Sequence, residues 1–287
     1  MNKNMKIFLL VFVGVCVAVL GFFGGKYAKE RIGSKYDEDK VAIRVELVLN
    51  DIDYDLQAAL DMLKCKYEKE GKDVYFSYAG DLYPSRLDDA KINVFARGYA
   101  PGLDKRIAND THNVYFVHRF VQGYVEEFRN FDQYIATNKD FVSAGNSIGL
   151  EMDYLEPIAC EHEKLDNKNA SKVLYIYEDY NKDVLANIKK IGGVKVYDSI
   201  SYNKLSKDEK IKELLEAKVV VFDGRYNDYV RGNKVAYAVY DILSYGKNVI
   251  TNWNDEVEKL IREGKSVRGF RDYNELFMML LYGVFRK

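Results

Sequence analysis

Val219–Trp253 reads VVVFDGRYNDYVRGNKVAYAVYDILSYGKNVITNW, and its pattern decides the fold. The apolar run Val219–Phe222 ends in Asp223-Gly224, and a polar loop rich in Arg, Asn and Tyr follows. An amphipathic segment runs from about Gly232 to Tyr245, Gly246 stops it, and Asn248–Thr251 forms a second short apolar run. Strand, loop, helix, glycine and strand make one βαβ unit. In open parallel sheets, ligands sit beyond the carboxyl ends of strands, beside helix N-termini. Here that place holds Arg225, Arg231, Gly232, Asn233 and Lys234, with the acid Asp241 two turns into the helix. A cationic helix start followed by a carboxylate suits a nucleotide diphosphate carrying a ribose. The same residues also suit an ordinary solvated loop.

Upstream, Val41–Leu49 reads as a strand and Asp53–Glu70 as a helix, with Leu56, Leu60, Leu63 and Tyr67 at helical spacing and Gly71 as its stop. Short apolar runs recur at 74–78, 92–96, 114–117 and 134–136, separated by turn residues and a helical stretch at 122–130. The charged segment 161–171, EHEKLDNKNAS, lacks apolar periodicity and reads as a linker. The pattern then restarts, with strands at 173–177, 194–196 and 218–223 and helices at 183–191 and 207–217, the latter opened by the Ser206–Glu209 capping box. A helix from Asn254 or Asp255 to Glu263 and a last helix capped by Asp272 and reaching Gly283 close the chain. Alternating β and α predicts an α/β protein, with an amino-terminal Rossmann-like domain over 36–160 and a carboxyl-terminal one over 172–287 facing it across a cleft.

The 287 residues carry a net charge of −1, so no strong field points to nucleic acid, and none is expected as a partner. Cys16, Cys65 and Cys160 are scattered and odd in number. They argue against a disulfide framework or a zinc site and suggest a reducing compartment. Ile7–Phe23 is apolar and uncharged, and with Gly24-Gly25 it is long enough to span a bilayer. We read residues 1–35 as one transmembrane anchor with its flank, crossing through 7–25, rather than a cleaved signal peptide. Lys26, Lys29, Arg31 and Lys35 after the span tip the soluble part toward the cytoplasm.

GxGxxG after a strand, GxxxxGK[ST] and HExxH are missing from the sequence, which argues against dinucleotide oxidoreductases, P-loop NTPases and zincins. His118 follows a strand directly, where it suits a base or a donor to phosphate or sugar, or is simply a surface histidine. Arg97-Gly98 ends another strand and offers a second cleft cation or a salt bridge. His112 and His162 read as loop residues.

Asp-Ile-Leu-Ser-Tyr-Gly-Lys-Asn-Val-Ile-Thr-Asn (241–252) resembles the helix–turn–strand signature of GT-B glycosyltransferases, with Asp241 five residues before Gly246. Gly232-Asn-Lys-Val-Ala is similar to the helix start in the spore-maturation (CgeB-like) and family 1 and 4 group. DLYPSRLDDAKINVFARG (81–98), VYFVHR (114–119) and FDQYIATN (131–138) look like the group's amino-terminal half. The resemblance implies a membrane-anchored glycosyltransferase that takes a nucleotide diphosphate sugar as substrate and needs no cofactor or metal. The acceptor is not identified. In that reading Asp241 holds the ribose, Lys234, Arg225 or Arg231 meet the diphosphate, and His118 acts near the reacting sugar. The chain departs from the group at Tyr237-Ala238, where relatives often carry an arginine, and at Asn233, where many carry a glutamate. A non-catalytic, membrane-tethered scaffold of degenerate GT-B fold is therefore the second reading, and a periplasmic solute-binding module the third.

Overall fold

A computed structural model describes residues 37–46, 52–79, 90–96, 111–118, 131–158, 160–166, 168–224 and 234–283. The first sheet contains β1 (Asp37–Glu46), β2 (Asp73–Ala79), β3 (Ala90–Ala96), β4 (His112–Val117), β5 (Gln133–Ala136) and β6 (Met152–Tyr154) in the order β2-β1-β3-β4-β5-β6. The second contains β7 (Lys172–Tyr177), β8 (Val194–Asp198), β9 (Ala217–Asp223), β10 (Asn248–Asn252) and β11 (Val267–Phe270) in the order β11-β10-β9-β7-β8. Every pairing is parallel. Counted within each half, both sheets follow the doubly wound order 2-1-3-4-5, the first with one strand added. The chain is thus a two-domain α/β protein of Rossmann-like halves with a cleft between them.

The helices are α1 (Tyr54–Lys69) and α2 (Lys139–Ser147) in the first half. In the second they are α3 (Lys182–Ile188), α4 (Ser199–Asn203), α5 (Lys207–Glu216), α6 (Tyr237–Ser244), α7 (Asp255–Arg262) and α8 (Tyr273–Tyr282). Most starts are written locally. Asp53 accepts from Leu56 N at 2.8 Å, Asn254 from Val257 N at 2.9 Å and Asp272 from Glu275 N at 2.9 Å. At α5 the Ser206–Glu209 capping box is formed in both directions. α1 buries Leu56, Leu60, Leu63 and Tyr67, the stripe its spacing predicts, against Val41, Ile43, Val94 and Phe116 of the first sheet. Gly246 adopts φ +77°, the left-handed conformation that lets the chain leave α6 and enter β10.

The expected membrane helix is corrected. Among the described residues no helix is long and apolar enough to cross a membrane. The longest described helix, α1, has 16 residues and carries Lys64, Lys66, Glu68 and Lys69. Residues 7–25 lie outside the described residues, as does the expected helix at 122–130. Membrane anchoring, the membrane as partner and the cytoplasmic placement that followed from it are withdrawn. The cysteine reading is corrected as well: Cys65 on α1 is bonded to Cys160, with Cα atoms 5.9 Å apart. The two are 95 residues apart in sequence, and only the return of the chain along α1 after β6 brings them together. A disulfide persists in oxidising surroundings, so the reducing compartment loses its support. The helix expected from Gly232 begins at Tyr237, with Ala236 as its N-cap.

Candidate functional site

The cleft lies where the carboxyl ends of β4 and β5 and the start of α1 meet the start of α6. Tyrosines cross it in both directions. Tyr237 of α6 packs into the core of the first domain, and Tyr54 of α1 into that of the second. Tyr237 donates from its hydroxyl to Leu155 O at 2.5 Å and lies 3.2 Å from Thr137 O. Tyr54 stacks edge-on to Tyr202 and Phe222, and its buried phenol is held well above its usual pKa by desolvation and then by the Asp241 charge.

One corner of the cleft is formed by Asp55, His118, Thr137, Asn138, Phe141, Lys234, Val235 and Tyr237 around a cavity of about 10 Å³. His118 directly follows β4, as its sequence position predicts, and is only 7% exposed. Its Nε2 lies 3.3 Å from Asp55 Oδ2. That contact lacks hydrogen-bond geometry, and neither ring nitrogen has a hydrogen-bond partner. Most buried polar atoms have a partner, and an exception calls for an explanation such as a bound water, an ion or a catalytic role. The other Asp55 oxygen accepts from Ala238 N at 3.0 Å. Ala236 has no side chain to cap α6, so the first domain supplies the missing carboxylate to the second. Lys234 donates to Thr137 O and, at 3.0 Å, contacts the Tyr237 hydroxyl. Its ammonium also faces the rings of Tyr154 and Tyr237 at 4.5 and 4.3 Å.

Asp241 lies at a second point on the interface. One oxygen accepts from the Tyr54 hydroxyl at 2.5 Å, and the other is 3.2 Å from His162 Nε2. A carboxylate only accepts, so Nε2 carries the proton in that bond. The His162 ring stacks on Tyr245 with centroids 4.1 Å apart and planes 4° from parallel. Nearby, burial raises the Asp61 carboxyl to about 6, with the Asp241 charge adding to the effect, and desolvation lowers the Lys210 ammonium.

The structure therefore brings His118 and Lys234 to one cavity and sets Asp241 apart from it in a protein-filled contact. Arg97, Gly98, Arg225, Arg231, Gly232 and Asn233 lie outside the described residues. Sequence reasoning missed Asp55, Tyr54 and His162. Asp55 reads locally as a first-turn acid favoured by its own helix dipole, and nothing nearby reveals that it caps a helix 183 residues away. His162 sits in a charged segment with no periodicity to mark it.

No protein-family model matches this chain, and no curated protein does. Solved structures do share its shape. An α-glucosyltransferase in complex with UDP-glucose and DNA containing an abasic site superposes with a TM-score of 0.51 at 9% identity, covering 75% of this chain and 80% of that one. An α-glucosyltransferase with UDP and a 13-mer DNA containing a HMU base gives 0.51 at 9% identity, covering 81% and 82%. A third, with UDP and a 13-mer DNA containing a central A:G mismatch, also gives 0.51. Because these structures hold DNA, near-zero net charge is no ground for excluding nucleic acid from a chain of this shape, and that exclusion is corrected. At such identities the likeness speaks for architecture alone: the fold is the GT-B fold of glycosyltransferases.

Proposed function

We propose that the chain is a glycosyltransferase of the GT-B type, taking a nucleotide diphosphate sugar in the cleft and passing the sugar to an acceptor. The observation that carries this reading is the corner itself. A buried histidine with a hydrogen bond on neither nitrogen and a lysine meet at the start of α6, between two Rossmann-like domains. In this proposal Lys234, with Arg225, Arg231, Gly232 and Asn233, meets the diphosphate at the helix start. Asp241 holds the ribose, His118 acts beside the reacting sugar, and Arg97-Gly98 lines the facing strand end. We assign 36–160 to the acceptor side, 161–171 to the linker and 172–287 to the donor side. The resemblance of 241–252 to the GT-B signature, and of 232–236 to the CgeB-like and family 1 and 4 group, supports the same assignment. The three α-glucosyltransferases of like fold also make UDP-glucose the first donor to try.

A second reading, a non-catalytic binding or scaffold protein, is favoured by one observation: Asp241 already has a protein partner on each oxygen. Calorimetry with UDP, GDP and uridine separates the two. Under the first reading the wild type binds a nucleotide diphosphate and Lys234→Ala weakens it roughly tenfold or more, from the loss of a hydrogen bond between charged groups. Asp241→Asn weakens both the diphosphate and the free nucleoside. If the wild type binds none of them, the scaffold reading replaces the enzyme.

A further inference from the structure

A second cavity, of about 380 Å³, opens between the last two turns of α1 and the chain leaving β6. Tyr154 stands between it and the corner, its ring facing the Lys234 ammonium at 4.5 Å. The volume lies within the range of small-molecule sites, about 300–1,000 Å³. Met62 and Leu155 give the cavity buried apolar surface, and Ile158 beside them is left 59% exposed. Lys66 and Lys69 line it from α1, three residues apart and so on one face of that helix. Neither forms an ion pair among the described residues, whereas Lys64 of the same helix is paired with Glu68 at 3.5 Å. Glu156 lines the other wall, also without an ion pair among the described residues, and Glu70 stands at the end of α1. The cavity also reaches a reactive bond: Cys65 lines it, and its disulfide partner Cys160 does not.

We propose that this cavity is a thiol–disulfide exchange site for a low-molecular-weight thiol that carries both a carboxylate and an ammonium. The carboxylate meets Lys66 and Lys69, the ammonium meets Glu156 or Glu70, and the sulfur reaches Cys65. The two lysines favour the thiolate form of the incoming sulfur. That thiolate attacks Cys65 Sγ, a new S–S bond joins the ligand to Cys65, and the Cys65–Cys160 bond breaks. Cys160 leaves as the thiolate and takes up a proton in place of the one the ligand lost. The ligand sulfur is oxidised to the disulfide level and Cys160 is reduced, so the exchange needs no other oxidant or reductant. Cys160 Sγ already lies 3.3 Å from Asp61 O, an acceptor for its new S–H. Attack falls on Cys65 because Cys65, not Cys160, faces the cavity. The product has lost the covalent tie between α1 and the chain after β6, and both sheets keep their strand pairings. None of this depends on reading the cleft as a nucleotide site.

Exchange kinetics of the full chain test this, with Cys16, the third cysteine of the sequence, alkylated beforehand. The probes are glutathione, which carries carboxylates and an ammonium, and 2-mercaptoethanol, which carries neither. Each rate is divided by the rate for the same chain unfolded in urea, which cancels the intrinsic reactivity of each thiol. Glutathione should then be preferred by roughly tenfold, and the double variant Lys66→Gln, Lys69→Gln should lose most of that preference, at about threefold per lysine, the scale of an exposed ion pair. After an acid quench, peptide mass spectrometry should place the first glutathione on Cys65 and the free thiol on Cys160. Equal normalised rates for the two thiols overturn the proposal. So does a double variant that keeps the preference, or a first adduct on Cys160.

Discussion

Two points on the same interface treat their polar groups in opposite ways. At the clasp, Asp241 has a partner on each oxygen, and its histidine is both bonded and stacked. At the corner, His118 is more deeply enclosed, with Asp55 beside it, and neither ring nitrogen completes a hydrogen bond. A saturated group holds the domains in register, whereas an unsatisfied buried group carries a desolvation penalty. Two histidines of one chain thus sit in opposite surroundings: His162 is bonded at the interface, and His118 is buried beside Asp55 without a hydrogen bond.

The largest expected effect comes from removing what the two points share, the tyrosines that cross between domains. Tyr237→Ala should lower stability by about 3–5 kcal/mol in urea titration, as the loss of a fully buried aromatic does. A loss below about 1 kcal/mol would mean that the interface contributes little to folding and that the contrast between clasp and corner is superficial.

Next is Asp61, a carboxyl raised by burial near the clasp. Its carboxyl is raised to about 6 from 3.8, chiefly by burial, so the folded state holds a proton that the unfolded state releases between those values. Stability therefore falls as pH rises from about 4 to about 6 and then levels. Asp61→Asn removes that fall. Thermal melts at pH 7.5 should show the variant more stable by up to about 3 kcal/mol, and melts near pH 4 should show no difference. Equal melts at both values would show that Lys210 and Gln57 already compensate the buried charge.

The smallest expected effect is the most diagnostic. His118→Phe replaces an unsatisfied ring with an apolar one of similar shape, so stability should stay within about 0.5 kcal/mol of wild type or rise. A loss above about 2 kcal/mol in the same urea titration would show that the Asp55–His118 contact is structural, and would erase the contrast.

The architecture was legible because its signals are local. The Ser206–Glu209 capping box, the N-cap residues Asp53, Asn254 and Asp272, the glycine stop at 246 and the apolar stripe of α1 each rest on groups three or four residues apart. Such signals announce elements wherever the chain later travels. Alternation of these elements then implies parallel sheets, and β4 places His118 at a strand's carboxyl end. The start of α6 was misread at Gly232 because its cap is not local. Ala236 offers no side chain, and the carboxylate that serves α6 comes from Asp55 in the other domain.

By itself, then, the sequence determined two α/β halves, the order of their strands and helices, and the histidine and lysine that belong at strand and helix ends. Only the tertiary structure decided which residues meet across the halves. Cys65 meets Cys160, Asp55 reaches the start of α6, and Tyr54 and His162 share Asp241. These partners stand from 79 to 187 residues apart. No periodicity or spacing encodes such a pair, because the contact exists only after both domains have folded and the burial of their shared face has set one against the other.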